Sequence, residues 1–170
     1  MPAAPKPQLV ALDSNVLLDR AAEDETVVDA LATVGRRLIA PSFIITPTVI
    51  EETVLKAERG ETVLGRRLAR KVLSHLLEWR IRPLSFIPVG RGIAAEIASK
   101  IRRAGLIPDE ELNGSLIVAE AAPVGATLLL SSDAHLKEPD YARLRIVLEA
   151  ADVTPPLIAS PFKIVRRFFG

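Results

Sequence analysis

Cysteine is absent from the chain, so neither a disulfide nor a thiolate metal site is available, and a reducing compartment suits it. Histidine occurs only at His75 and His135, which excludes a zinc centre built on several imidazoles. Any resident metal must therefore be a hard cation held by carboxylates. Aromatic residues make up 4% of the sequence, which leaves the core to Leu, Ile, Val and Ala. Their scarcity also removes the row of exposed rings that a single-strand stacking platform needs. No apolar run reaches the ~18 residues of a membrane span. The start, MPAAPKPQ, lacks a signal core, so the expectation is a cytoplasmic protein with no membrane partner. A strong charge of either sign is missing too: the net charge is +1, and nucleic-acid binding must rest on local patches.

What remains is a chain of 170 residues that is 49% hydrophobic, enough for one domain with its own core. Residues 1–7 are expected to form a disordered lead-in and residues 8–170 a single domain. LVAL, residues 9–12, reads as a buried strand bounded by the turn formers Asp13-Ser14-Asn15. Asp13 then stands just past the carboxyl end of that strand, with Ser14 and Asn15 free to cap a helix. Two helical pieces follow to about Val34, broken at Glu23-Asp24-Glu25 and ended by Gly35. Arg37 to Ile45 reads as a second strand. Thr46-Pro47 starts a helix running to Arg59, with Thr46 as N-cap. Glu61 to Arg80 forms a second, amphipathic helix ended by Pro83. Leu84 to Val89 reads as a strand, Arg91 to Arg103 as a helix, and Pro108 to Ala122 as a helix opened by acids. ATLLL, residues 126–130, is a buried strand followed at once by Ser131-Ser132-Asp133. Arg145 to Leu148 reads as a last strand, and Phe162 to Phe169 as a terminal helix. This alternation predicts an α/β fold, a three-layer α/β/α arrangement around a central parallel sheet of four to five strands.

If the strands are parallel, Asp13 and Asp133 lie at the same edge of the sheet, where α/β folds bind ligands. The helix after the second strand offers another carboxylate. At ~100° per residue Glu51 and Glu52 flank its apolar stripe symmetrically, so periodicity does not choose between them. Glu52 and Lys56 also form an i,i+4 pair of the kind found on any exposed helix.

These pieces together resemble the PIN-domain family of metal-dependent ribonucleases. The matching stretches are LVALDSNVLLD, ITPTVIEETV, LNGSLIVAEAAPVGATLLLSSDAHL and LIASPFKIVRRF, in the right order over nearly the whole chain. The resemblance implies three or four acids that bind Mg2+ or Mn2+ and hydrolyse RNA phosphodiesters. It carries those roles onto Asp13, Glu52 and Asp133, with Asn15 and Ser131 in support. It also implies a PIN-like fold, RNA as substrate, an antitoxin protein as partner and a homodimer. The family's third acid falls here on Gly114, or on Asn113 with a one-residue slip, and neither is a carboxylate. Asp109 and Glu110, about one helical turn earlier, are candidates for a displaced metal ligand. Acids there also suit the positive end of a helix.

That gap bears on the chemistry. Two divalent ions ~4 Å apart can activate water and stabilise the leaving oxygen, but several carboxylates must hold them. With one acid short the expectation is a weakened nuclease. The alternative is a degenerate PIN domain that binds RNA or protein without cutting. Arg66, Arg67, Arg70 and Lys71 are the candidate nucleic-acid contacts, with Lys100, Arg102 and Arg103 behind them. His135, two residues past Asp133, is a further candidate acid or base, and His75 reads as structural. A rival from another class is a haloacid-dehalogenase-like phosphatase, whose nucleophilic Asp also follows the first strand. It wants a second Asp at the position of Asn15.

Overall fold

The computed structural model describes residues 2–137 and 140–169. Its elements run β1 (Leu9–Leu12), α1 (Ser14–Ala21), α2 (Glu25–Arg37), β2 (Ser42–Ile45), α3 (Pro47–Arg59), α4 (Val63–His75), β3 (Ile81–Pro83), α5 (Pro88–Arg103), α6 (Leu112–Ala121), β4 (Ala126–Leu130), α7 (Ala134–Lys137), α8 (Tyr141–Glu149), β5 (Leu157–Ala159) and α9 (Pro161–Phe169). The five strands pair in parallel in the order β3-β2-β1-β4-β5, between layers of helices. Parallel pairing demands burial on both faces, and it explains why Val10, Ala11, Leu12, Leu129 and Leu130 are almost wholly inaccessible.

The chain leaves β1 toward β2 and β3 on one side, then returns to add β4 and β5 on the other. The strand order therefore reverses beside β1, between its neighbours β2 and β4. A crevice opens at the carboxyl ends of strands where such a reversal occurs. Asp13 lies there, its backbone N–H donating to Leu130 O at 3.0 Å.

Several expected elements shift, each for a local reason. Asp13 itself caps α1, accepting from Ser14 N, so Ser14 and Asn15 are already helical. Gly35 does not end α2, which runs on to Arg37, and β2 is accordingly shorter at its start. α4 ends at His75, and the turn over residues 76–80 that follows closes in a Schellman pattern: Ile81 N donates to Leu76 O and Arg80 N to Leu77 O. Arg80 takes the left-handed position, φ 56°, where a glycine would have announced the stop. The third strand is thus Ile81–Pro83 rather than Leu84–Val89. The acids before α6 occupy a turn, and the helix begins only at Leu112.

RIVL, the expected last strand, is inside α8. Leu144 and Leu148, four apart, are the buried residues, Asp140 caps the helix, and Arg145 pairs with Glu149 at 2.7 Å. The strand that pairs with β4 is Leu157–Ala159.

Candidate functional site

Asp13 is the centre of the crevice and only 3% exposed. Ser131 Oγ, carried past the end of β4, donates to Asp13 Oδ2 at 2.6 Å, and Asn15 Nδ2 donates to the same oxygen at 3.3 Å. Ser14 N donates to Asp13 Oδ1 at 2.6 Å. Burial pushes the Asp13 carboxyl up to about 6, against these hydrogen bonds, and the negative charges of Glu52 and Asp133 add to the rise.

Glu52, half-buried on α3, is the member of the 51/52 pair that faces the crevice. Its Oε2 accepts from Ser14 Oγ at 2.8 Å and its Oε1 from Asn113 Nδ2 at 2.8 Å. Glu51 points elsewhere, to Arg91 at 3.4 Å. The expected Glu52–Lys56 pair does not form. Asp133 stands beyond Ser131, whose Oγ accepts from Asp133 N at 3.1 Å, and Asp133 Oδ1 accepts from His135 N at 2.8 Å. Asn15 ties the two strand ends together by accepting from Ser132 N at 3.1 Å. The structure thus brings Asp13, Glu52, Asp133, Asn15 and Ser131 to one place.

Asp109 and Glu110 are exposed in the turn before α6 and make no hydrogen bond to that group. The acid of that turn with a side-chain partner is Glu111, at the N-cap position of α6, with Oε1 3.5 Å from His135 Nε2. Asn113 reaches Glu52, whereas a Cβ on Gly114 would meet Leu136 Cδ2 at 3.5 Å, an ordinary contact. Asn113 enters the sequence reading only as an alternative place for the missing acid, and Glu111 only as a neighbour of Asp109 and Glu110. The only signal for them is their position within one turn of Gly114.

Hard oxygen donors suit Mg2+ or Mn2+, and the negative crowding at Asp13 favours a cation. Among the described residues, however, no three carboxylate or imidazole groups converge closely enough to hold one ion. Ser14 Oγ lies between Asp13 (3.4 Å) and Glu52 (2.8 Å), and Ser131 Oγ donates to Asp13 while accepting from the Asp133 backbone N–H. The donor set fits a divalent ion held by one or two carboxylates with water completing its shell. It does not fit a cage of three.

A cleft of 470 Å³ leads away from Ser14 and Glu52 along α3, flanked by Lys56 and Arg59 and closed by Gly60 and Thr62. Both cations are exposed, and among the described residues neither has an ion-pair partner. None of Arg66, Arg67, Arg70 and Lys71 lines this cleft. Arg66 Nη1 donates to Gly60 O at 2.5 Å, and Lys71 Nζ to Ala21 O at 2.8 Å, so both fasten α4 to its neighbours. Arg67 and Arg70 are exposed. Arg102 is engaged with Ser115 Oγ at 2.6 Å and Lys100 with Glu96 at 3.4 Å.

One further acid was not anticipated. Glu120, on α6 and 5% exposed, accepts from Thr48 N at 3.2 Å and Thr48 Oγ1 at 2.7 Å. It caps α3 from another helix, where Thr46 makes no side-chain cap bond. Burial raises its carboxyl above the usual range despite those bonds.

No protein-family model matches the chain, and neither does any curated protein. Solved structures do. One chain of the VapBC2 complex from Rickettsia felis, bound to a DNA fragment from their promoter, superposes with a TM-score of 0.61 at 14% identity, over 90% of this chain and 98% of that one. VapBC-1 from nontypeable Haemophilus influenzae gives 0.55 at 12% identity, over 91% and 98%. FitAcB from Neisseria gonorrhoeae gives 0.53 at 19%, over 90% and 98%. At these identities the likeness is one of fold.

Proposed function

Taking as premise that this chain carries the PIN-like fold, we propose that it is a divalent-metal-dependent endoribonuclease of low turnover. The observation that supports it most is the buried Asp13 at the point where the strand order reverses, its carboxyl lifted to about 6 by burial first and by the charges of Glu52 and Asp133 second. A buried carboxylate with two further acids near enough to raise its pKa costs stability, and such costs concentrate at functional sites.

Asp13 and Glu52 would hold the ion, with Asp133 beside them. Bound there, Mg2+ or Mn2+ would supply charge neutralisation at the scissile phosphate and a water of lowered pKa. Ser14, Ser131 and Asn15 hold the carboxylates in place, each through a hydrogen bond that fixes one oxygen. Asn113 occupies one of Glu52's oxygens and adds no charge. Lys56 and Arg59 would take the phosphates of flanking nucleotides along the cleft, giving affinity without sequence information. With fewer carboxylates than a two-ion site needs, the turnover is low. The neighbours of like fold are crystallised as complexes with partner proteins, which supports an antitoxin-type protein as a partner here too.

A second reading, a degenerate domain that binds RNA without cutting it, is favoured by Asn113 filling the corner where an acid would stand. The phosphatase alternative lacks its acid, because the residue at that position, Asn15, donates its amide to Asp13. The deciding experiment is cleavage of single-stranded RNA in Mn2+, compared with Asp13→Asn. Metal-dependent cleavage lost in the variant supports the nuclease. RNA binding with no cleavage in any divalent metal overturns it in favour of the second reading.

A further inference from the structure

At the end of the sheet opposite Asp13, the amino ends of β4 and β5 open into a groove of 610 Å³ between α2 and α9. Its floor is aliphatic: Val34, Leu38, Leu157, Ile158 and Ile164. Leu157 is 55% exposed, so this is apolar surface left in water and not core. Three exposed cations, Arg37 from α2 with Lys163 and Arg167 from α9, stand around that floor. Among the described residues no carboxylate lines the groove, and none of the three cations has an ion-pair partner. Arg36 and Arg166 add charge of the same sign in the same two last turns. One wall is already set, since the Arg37 guanidinium lies 5.0 Å from the centre of the Phe168 ring.

The helix dipole accounts for basic residues in a last turn. It does not account for an apolar groove ringed by them with no counter-charge. On a chain whose net charge is only +1, the arrangement is a local excess.

We propose that this groove receives an acidic segment of a partner protein, anchored by apolar side chains. Aliphatic residues laid along the floor would remove Leu157 and its neighbours from water, and flanking carboxylates would meet the three cations. Each alternative occupant fails on one feature. A nucleic acid would gain phosphate contacts at the rim but leave the aliphatic floor wet, and among the described residues Phe168 is the one aromatic ring lining it for a base to stack on. A second copy docking symmetrically would set the same cations against themselves. A bilayer calls for apolar residues that protrude, and this surface is concave. The proposal is independent of the nuclease reading, because it uses no residue of the Asp13 crevice.

The test is a titration of the isotope-labelled full chain, followed by amide chemical shifts. The probe is a short synthetic peptide with Leu at helical i, i+3, i+4, i+7 spacing and Glu at the other positions. Shifts at Leu38, Leu157, Ile158 and Ile164 are expected, with affinity reduced about tenfold or more in Lys163→Glu/Arg167→Glu. Lys163→Gln/Arg167→Gln, which removes charge without reversing it, should fall between, and Asp13→Asn should bind as the parent does. Four results would overturn the proposal: no shift in the groove, or equal shifts from the same peptide with Lys for Glu. The others are groove shifts produced by single-stranded RNA or by phosphatidylglycerol vesicles when the acidic peptide is silent, and concentration-dependent self-association that occupies the groove.

Discussion

Asp13 ionises against its surroundings, and that gives its pH dependence a definite sign. Unfolded, the carboxyl titrates near 3.8; folded, burial lifts it to about 6. The fold prefers the protonated form, so this group's contribution to stability is full below about pH 4 and is lost as pH rises through 6. Asp13→Asn should remove that slope and stabilise the apo protein at pH 7 by about 2–3 kcal/mol, as read by denaturant melts at pH 4.5 and 7. A variant no more stable than the parent at pH 7 would contradict the assignment. Gly114→Asp is the opposite case. The Cβ meets Leu136 and the Glu111 Cβ at ordinary van der Waals distance, and an acid in the first turn of α6 suits the helix dipole. The expected outcome is a folded variant with faster Mn2+-dependent RNA cleavage. Unchanged cleavage would mean that the missing acid is not what limits turnover.

α3 carries Glu52, Lys56 and Arg59 on one side, and its first turn is held by Glu120 from α6. Glu120→Ala leaves Thr48 N and Oγ1 buried without that partner, which should cost about 1–3 kcal/mol and lower the melting temperature. Lys56→Glu/Arg59→Glu should weaken RNA binding and flatten its dependence on salt by about 1.4 in the log–log slope, the value for two phosphate contacts on a single strand. The same change made at Arg67 and Arg70, which lie outside the cleft, should leave the slope nearly unaltered. Most of α3 was legible beforehand: Thr46-Pro47 marks its start and Gly60 its end. Its cap was not, because Glu120 lies 72 residues away from Thr48. The choice of Glu52 over Glu51 followed from the resemblance, and Ser14 and Asn113 meet it only in the folded chain.

For the whole molecule the prediction concerns linkage. An ion bound to the folded chain alone adds RT ln(1 + [L]/Kd), so Mn2+ at about 100 times its Kd should add about 2.7 kcal/mol to the apparent stability. The gain should vanish in Asp13→Asn, and should shrink below pH 6 as the Asp13 carboxyl takes up its proton. A melting temperature indifferent to Mn2+ at pH 7.5 would count against a metal site of any kind. Among the described residues no helix is long and apolar enough to cross a membrane.

Fold class, the positions of β1 and β4, and the adjacency of Asp13 and Asp133 were determined by the sequence itself. Buried parallel strands must be continuous apolar runs, and the turn formers that end them must lie at one edge. Short elements resisted that logic. RIVL is apolar enough for a strand, yet the burial of Leu144 and Leu148 together makes it helix, while LIA is too brief to stand out between prolines. Tertiary structure alone decided that Ser14 bridges Asp13 and Glu52, that Ser131 and Asn113 hydrogen-bond Asp13 and Glu52 respectively, that Glu111 rather than Asp109 or Glu110 reaches His135, and that Lys56 and Arg59 line the cleft. Those contacts join residues up to 118 apart. Periodicity reports which face of an element a residue occupies, but not what the folded chain places opposite it.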